Sequence, residues 1–330
     1  MALKICTIGC GNHSALVHGP SYQKYVREMP DTILAACCDL GEEKALAYRE
    51  KFGFRAFYTD MNEMLDAERP DAVCVVVPES HICSTSVAVM EKGYHVLLEK
   101  PPGLDRDECL RLINAAQKAG VINQVAFNRR HMPLLLELKA RMERLEPGTI
   151  QNIFYEFYRY DRKEPSFETT AIHGIDVVKY LAGSEYQEVH FTYQELPAMG
   201  KGVVNIYLDC WFENGIMARL NFCPCSGVIV DRACVNAAGH TFFLRTPIWD
   251  GFDAPGSLTH IRAGASETVI TGMDLGCGQE MFETNGFYEE NKAFFEDVRN
   301  KRHGRNDIRS ALQSVEIAQC IRERADRYTL

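Results

Sequence analysis

Leu3-Lys4-Ile5-Cys6-Thr7-Ile8-Gly9-Cys10-Gly11-Asn12-His13-Ser14 decides the fold. Six mostly apolar residues fit a short strand buried on both faces. The Gly9-Cys10-Gly11 that follows lets the backbone turn tightly and approach a pyrophosphate. The start of the next helix then offers free N–H groups and a partial positive charge. Ser14 stands where a dinucleotide fingerprint has its third glycine, and a Gly-x-Gly alone is equally a plain tight turn. Pro20 interrupts the next helix, so an irregular segment is expected near His18-Gly19-Pro20.

Four more short apolar runs follow, at residues 33–38, 72–77, 95–98 and 121–127. Between them lie helix-patterned segments: Glu42–Phe52 and residues 61–67, 84–92 and 105–119. Asp60 is placed to cap the second of these and Asp105 with Glu108 the fourth, while Gly93 and Gly120 are helix stops. Strands alternating with helices predict βαβ units and a doubly wound parallel sheet. After about residue 128 the pattern changes. Helices are expected at 132–145 and 170–181, with strands at 149–160, 190–195, 203–212, 216–222, 228–236 and 241–244. Asn214-Gly215 marks a hairpin, and two helices, 288–300 and 308–326, finish the chain. The fold class is α/β in the first half. The second half reads as an α+β domain with a large, open, mostly antiparallel sheet. The domains are residues 1–127 and 128–330.

The 330 residues include 46% hydrophobic and 25% charged side chains, ordinary for a globular protein of about two domains. Acidic residues outnumber basic ones 45 to 36, a formal net charge of −9, which argues against general nucleic-acid or anionic-membrane binding. There are 13 cysteines but no CxxC pair, and several sit inside apolar runs. They read as small buried hydrophobes in a reducing cytoplasm, and no metal site is expected from their spacing. Residues 1–6 carry no apolar signal region, and a cytoplasmic location is expected.

Three further motifs carry chemistry. Asp39 ends the second strand, where a carboxylate can accept both ribose hydroxyls of an adenosine and repel a 2′-phosphate; it can equally cap the next helix. Glu99-Lys100-Pro101-Pro102 follows the fourth run. A lysine at the carboxyl end of a parallel strand points into the ligand crevice, although a lone lysine in a turn is common. His173 and Asp176 lie three apart at the start of a helix and share a face. A histidine can move a proton near neutral pH, or it can be a hydrogen-bonded core residue.

These motifs, in this order, resemble the Gfo/Idh/MocA family of nicotinamide-dependent oxidoreductases. The resemblance rests on Gly9-Cys10-Gly11, on Asp71-Ala72-Val73 with Pro78 and His81, and on Gly93-Tyr94-His95-Val96-Leu97-Leu98-Glu99-Lys100-Pro101. Asn128-Arg129-Arg130 and His173-x-x-Asp176 also fit. It implies an N-terminal Rossmann domain, and homodimers or homotetramers formed through the C-terminal sheet. It also implies an enzyme, a dehydrogenase that moves a hydride between the nicotinamide and a hydroxyl-bearing carbon of a sugar, polyol or sugar acid. Gly9, Cys10, Gly11, Asn12 and His13 would line the pyrophosphate and Asp39 the adenosine ribose. Pro78, Glu79 and His81 would lie along the cofactor, with Glu99 and Lys100 near the nicotinamide. Asp39 makes NAD the expected cofactor in preference to NADP. Lys100 would bond the reacting oxygen and His173 would move its proton. Asn128, Arg130, Arg162 and Thr169 are further substrate-contact candidates. Thr169 departs from the family, which usually carries an aspartate four residues before the histidine. That departure leaves two alternatives open: an NAD-binding sensor without turnover, or an enzyme using NAD as a transient helper in elimination or glycoside cleavage.

Overall fold

The computed structural model describes residues 2–164, 166–276 and 278–330. Cys277, among the cysteines read as buried, lies outside the described residues. The chain forms two compact units. One comprises Met1–Asn128 with Gly286–Val315, the other Arg129–Asn285 with Glu316–Leu330.

The first unit is built on β1 (Leu3–Ile8), β2 (Thr32–Cys38), β3 (Ala56–Tyr58), β4 (Ala72–Val75), β5 (His95–Glu99) and β6 (Asn123–Ala126). They pair in the order β3-β2-β1-β4-β5-β6, all parallel. The order reverses between β1 and β4, the feature that opens a crevice at the strands' carboxyl ends. The connecting helices are α1 (Gly19–Glu28), α2 (Glu42–Phe52), α3 (Met61–Glu68), α4 (Glu79–Glu91) and α5 (Arg106–Ala119). Asp60 accepts hydrogen bonds from the N–H groups of Asn62 and Glu63, and Asp105 from that of Glu108, so both expected caps are made. β3 is absent from the sequence reading: three half-buried residues carry too little periodicity to register.

Gly9 fixes how β1 ends. Its φ is +101°, and a Cβ there would fall 2.0 Å from the carbonyl oxygen of Val76. Only glycine fits both the dihedral and the space. The expected irregularity before Pro20 takes a specific form. Ser14–His18 is a π-helical turn, closed by the Gly19 N–H on the Ser14 carbonyl, and Pro20 falls in the first turn of α1.

The second unit contains α6 (Pro133–Met142), β7 (Ile150–Tyr158), α7 (Glu168–Ala182), β8 (Tyr186–Glu195), β9 (Val204–Phe212), β10 (Met217–Cys223), β11 (Val230–Ala237), β12 (His240–Arg245), β13 (Ser257–Arg262), β14 (Ala265–Thr271) and a short α8 (Met281–Thr284). The chain ends in α9 (Phe287–Arg299), α10 (Ile308–Arg322) and β15 (Arg327–Thr329). Nine strands form one sheet, β14-β13-β12-β11-β7-β10-β9-β8-β15, antiparallel except for the β7–β10 pair. Asn214 and Gly215 turn β9 into β10, with Gly215 at φ +84°. One sheet face is buried through residues such as Tyr155, Phe157, Leu208, Leu220 and Phe222. α7 lies close upon it, because a Cβ on Gly174 would come within 2.8 Å of the Phe222 ring. On the opposite face one register row runs Val269, Thr259, Phe243, Cys234, Phe154, Arg219, Asp209 and His190. Its apolar half exposes Val269, Phe243 and Phe154, and its polar half holds an Arg219–Asp209 ion pair at 2.6 Å.

One domain expectation is corrected. Residues 286–315 belong with the first unit, not with everything after residue 128. The cause is the packing of α9 on α1. Phe295 meets the rings of Tyr22 and Tyr25, the Tyr25 hydroxyl donates to Glu296, and Arg299 grips Asp31 through both terminal nitrogens. The Gln124 amide also donates to the Glu290 carbonyl.

Gly9→Ala should destabilise the protein by more than about 2 kcal/mol, since a left-handed dihedral and a backbone clash act together. Urea unfolding of the purified variant measures it.

Candidate active site

In a parallel sheet every strand ends at the same edge, so β1, β2, β4 and β5 deliver their following residues together. Gly9 to His13 follow β1, Asp39 follows β2, Pro78, Glu79 and His81 follow β4, and Glu99 with Lys100 end β5. Asp39 ties two of these segments. Its Oδ2 accepts from the Cys10 N–H at 2.9 Å and its Oδ1 from the Gly41 N–H at 3.0 Å. The carboxylate thus braces the glycine turn and also steadies the start of α2. A Cβ built on Gly11 meets nothing within 4 Å. The protein's own packing therefore does not need a glycine there, and the open space above it suits a ligand that must come close to the backbone. Cys10 is different. Its thiol is buried and faces the Cys38 carbonyl, and hydrogen bonding to Cys37 together with burial raises its pKa. It is held as an uncharged thiol, and its N–H is committed to Asp39. Asn12, Pro78, Glu79 and His81 are exposed, with Glu79 in the first turn of α4 where an anion suits the helix dipole. Ser14, in the third-glycine position, is buried and its hydroxyl is 2.8 Å from that of Tyr48.

Glu99 is the most heavily engaged of these residues. Its Oε1 receives His13 Nε2 at 3.0 Å and His18 Nε2 at 2.9 Å, and its Oε2 accepts from the Lys100 N–H at 3.1 Å. Burial alone would raise its pKa. The charge and hydrogen bond of His13 and those of His18 outweigh burial and hold it far below the usual carboxylate range. His18 was missed in the sequence. Five residues after His13, it would stand about 140° away on an α-helix. The π turn carries it back to the same carboxylate.

In the second unit, His173 lies in α7, buried, beside Gly174. The neighbouring sequence candidates are drawn into structural bonds. Arg130 is buried and grips Asp176 through both Nε and Nη2, which braces α7. Asp231 likewise sits between Arg129 and Arg159. Arg162 donates to the Thr170 hydroxyl and pairs with Glu164. The Thr169 hydroxyl donates to the Ser166 carbonyl at 2.9 Å, a local side-chain-to-backbone bond at the start of α7. Asn128 is buried in the 3-10 turn Asn128–His131 that ends the first segment.

The model of the Gfo/Idh/MocA oxidoreductases, described as an oxidoreductase family with an NAD-binding Rossmann fold, matches residues 3–127. The first domain is that of this family. A myo-inositol 2-dehydrogenase of Thermotoga maritima is 28% identical over 200 residues, 57% of this chain and 57% of its own. A D-glucoside 3-dehydrogenase of Escherichia coli is 28% identical over 152 residues, 46% of this chain and 41% of its own. The chain thus spans about half the length of the curated relatives it matches. A levoglucosan dehydrogenase solved with NADH and L-sorbose has the same fold. Its TM-score is 0.83 at 18% identity, over 99% of this chain and 98% of that one. So does a 3-ketoreductase from Actinomadura kijaniata solved with NADP, with a TM-score of 0.78 at 17% identity over 98% of each chain. None of the described helices is long and apolar enough to cross a membrane.

A Gfo/Idh/MocA-type Rossmann domain calls for a nicotinamide cofactor, and the residues present fit one. The turn at Gly9 and the cleared space at Gly11 form the cradle, and Asp39 supplies a carboxylate at the second strand's end.

His131, next to Arg130, gives the molecule a pH signature. Burial first, and the Arg130 charge second, push its pKa down to about 3. Between that value and the ordinary ~6.5 of an unfolded histidine, only the unfolded chain binds the proton. The contribution is therefore complete above pH ~6.5 and lost as pH falls toward 3. From pH 7 to 5 it should remove about 2 kcal/mol of stability. Denaturation of His131→Asn beside the wild type should show a flatter slope across that window.

Proposed function

We propose that the protein is a nicotinamide-dependent dehydrogenase of a sugar, polyol or sugar acid, with NAD preferred over NADP. The observation that carries this reading is the single sheet edge that gathers the Gly9–Gly11 cradle, Asp39 and the Glu99–Lys100 pair. The fixed negative charge of Asp39 beside the glycine turn opposes a 2′-phosphate. The sugar and polyol dehydrogenases among the relatives support the substrate class.

Oxidation of a CH–OH group removes a hydride from carbon and a proton from oxygen. A bound nicotinamide supplies the hydride acceptor. Lys100, a cation at the end of β5, donates a hydrogen bond to the reacting oxygen and stabilises negative charge as it develops there. His173 takes the hydroxyl proton at an imidazole nitrogen. Thr169 cannot add a carboxylate to this pair, because its hydroxyl is uncharged and already donates to Ser166. A cofactor-binding sensor without turnover is the outcome that the activity screen separates from this reading.

We also infer self-association through the open face of the nine-stranded sheet. An apolar row of Val269, Phe243 and Phe154 exposed to water is costly, and a second copy of the same face covers it. A homodimer or homotetramer in solution is the expected state.

A spectrophotometric screen across inositols, sugars and sugar acids, with NAD and NADP in parallel, tests the activity. Turnover should be faster with NAD, and Lys100→Met should lower kcat/KM at least about a hundredfold. Full activity in that variant removes the role of Lys100. Tight NAD binding with no turnover on any alcohol selects the sensor reading. For assembly, Phe154→Glu with Phe243→Glu should shift the species seen by analytical ultracentrifugation to monomer.

A further inference from the structure

The cluster of His13, His18 and Glu99 holds more than a hydrogen-bonded carboxylate. Two imidazole nitrogens and one carboxylate oxygen converge within 4.8 Å of one another. We propose that these three side chains form a binding site for a first-row divalent transition-metal ion of the Zn2+, Co2+ or Fe2+ type.

The donor set is the first reason. Two imidazoles and one carboxylate are the ligands of His2Glu zinc sites and of facial-triad iron sites, and imidazole steers selection away from Mg2+ and Ca2+. Spacing is the second. The Nε2 to Oε1 separations are 3.0 and 2.9 Å. Adjacent ligands of an ion with bonds near 2.1 Å stand about 2.9–3.0 Å apart in six-coordinate geometry. The third reason is the outer support. Asn291 lies against His18 Nδ1, with Oδ1 at 3.2 Å and the amide nitrogen at 3.1 Å; in the tautomer protonated at Nδ1 the Oδ1 accepts, which leaves the Nε2 lone pair for the metal. Asn291 itself is anchored through its amide nitrogen on the Phe287 carbonyl. Metal-bound histidines characteristically have such a partner on the second ring nitrogen. The Lys100 N–H holds the other carboxylate oxygen.

Access also suits. The His18 side chain is fully buried and that of Glu99 8% exposed, while that of His13 is 41% exposed, so the ion is reached from the His13 side. On binding, each imidazole keeps its proton on Nδ1 and any second proton is released, so affinity should rise with pH. Three protein ligands leave coordination positions for water or an oxygen-bearing ligand. The π turn at Ser14–His18 makes the site, since only its wider winding brings both histidines to one carboxylate. The site shares His13 and Glu99 with the proposed cofactor crevice, but its occupancy is measured with no nicotinamide present, so failure of one reading is distinguishable from failure of the other.

The experiment is a titration of the untagged, metal-stripped full chain with Co2+, followed by visible absorption and calorimetry. One Co2+ per chain is expected, with d–d bands that Zn2+ abolishes and an affinity higher at pH 8 than at pH 6. His13→Gln, at the accessible end, should keep the fold and weaken binding by more than the about tenfold that loss of an outer partner costs. Asn291→Ala should cost about tenfold. The absence of saturable Co2+ binding would overturn the proposal. So would unchanged affinity in His13→Gln and in the His13→Gln/His18→Gln pair, because the ion would then sit elsewhere.

Discussion

A backbone crossing governs this molecule. Where β1 ends, Gly9 passes so close to the Val76 carbonyl that no side chain fits between them. The two strands on either side of the sheet's reversal point are thereby locked at their carboxyl ends. The Gly9 N–H bonds the Cys38 carbonyl, and the next N–H, of Cys10, bonds Asp39. Three strand ends are thus tied in two consecutive residues. The direction of the chain beyond them, and the place of every group from Gly11 to His18, follows from that knot.

The same knot explains an uneven division of labour among the polar residues. At the sheet edge, Asp39 and Glu99 are bonded by backbone N–H groups and imidazoles. In the second unit the buried carboxylates Asp176 and Asp231 are matched by arginines. Such pairs offset the cost of burying charge without adding much net stability, and they hold geometry. Arg130, fixed on Asp176, orients the helix that carries His173. The chemistry proposed for His173 therefore leans on a buried ion pair on its own helix.

Much of this was legible in the sequence. β1 and α2 were read to the residue, because a continuous apolar run and a helical period are strong local signals. Asp60 and Asp105 announced their caps, and Asn214-Gly215 its turn. β3, β13, β14 and β15 went unread. They are short, or alternate weakly between half-buried residues, and they exist because neighbouring strands offer hydrogen bonds. Among site residues, the glycine turn, Asp39 and Glu99-Lys100 were legible because each follows a readable strand. His18 was not, because its spacing from His13 belongs to neither helix nor strand.

The sequence by itself determined the order of the strands and helices, the glycine turn and the residues that follow each parallel strand. Those are local properties of patterning and dihedral preference. Tertiary structure alone decided that residues 286–315 rejoin the first unit, that Arg130 serves Asp176, and that two histidines share Glu99. Each of these depends on which distant surface an apolar face or buried charge meets. That choice is set by packing and desolvation across the whole fold, which no local stretch of chain encodes.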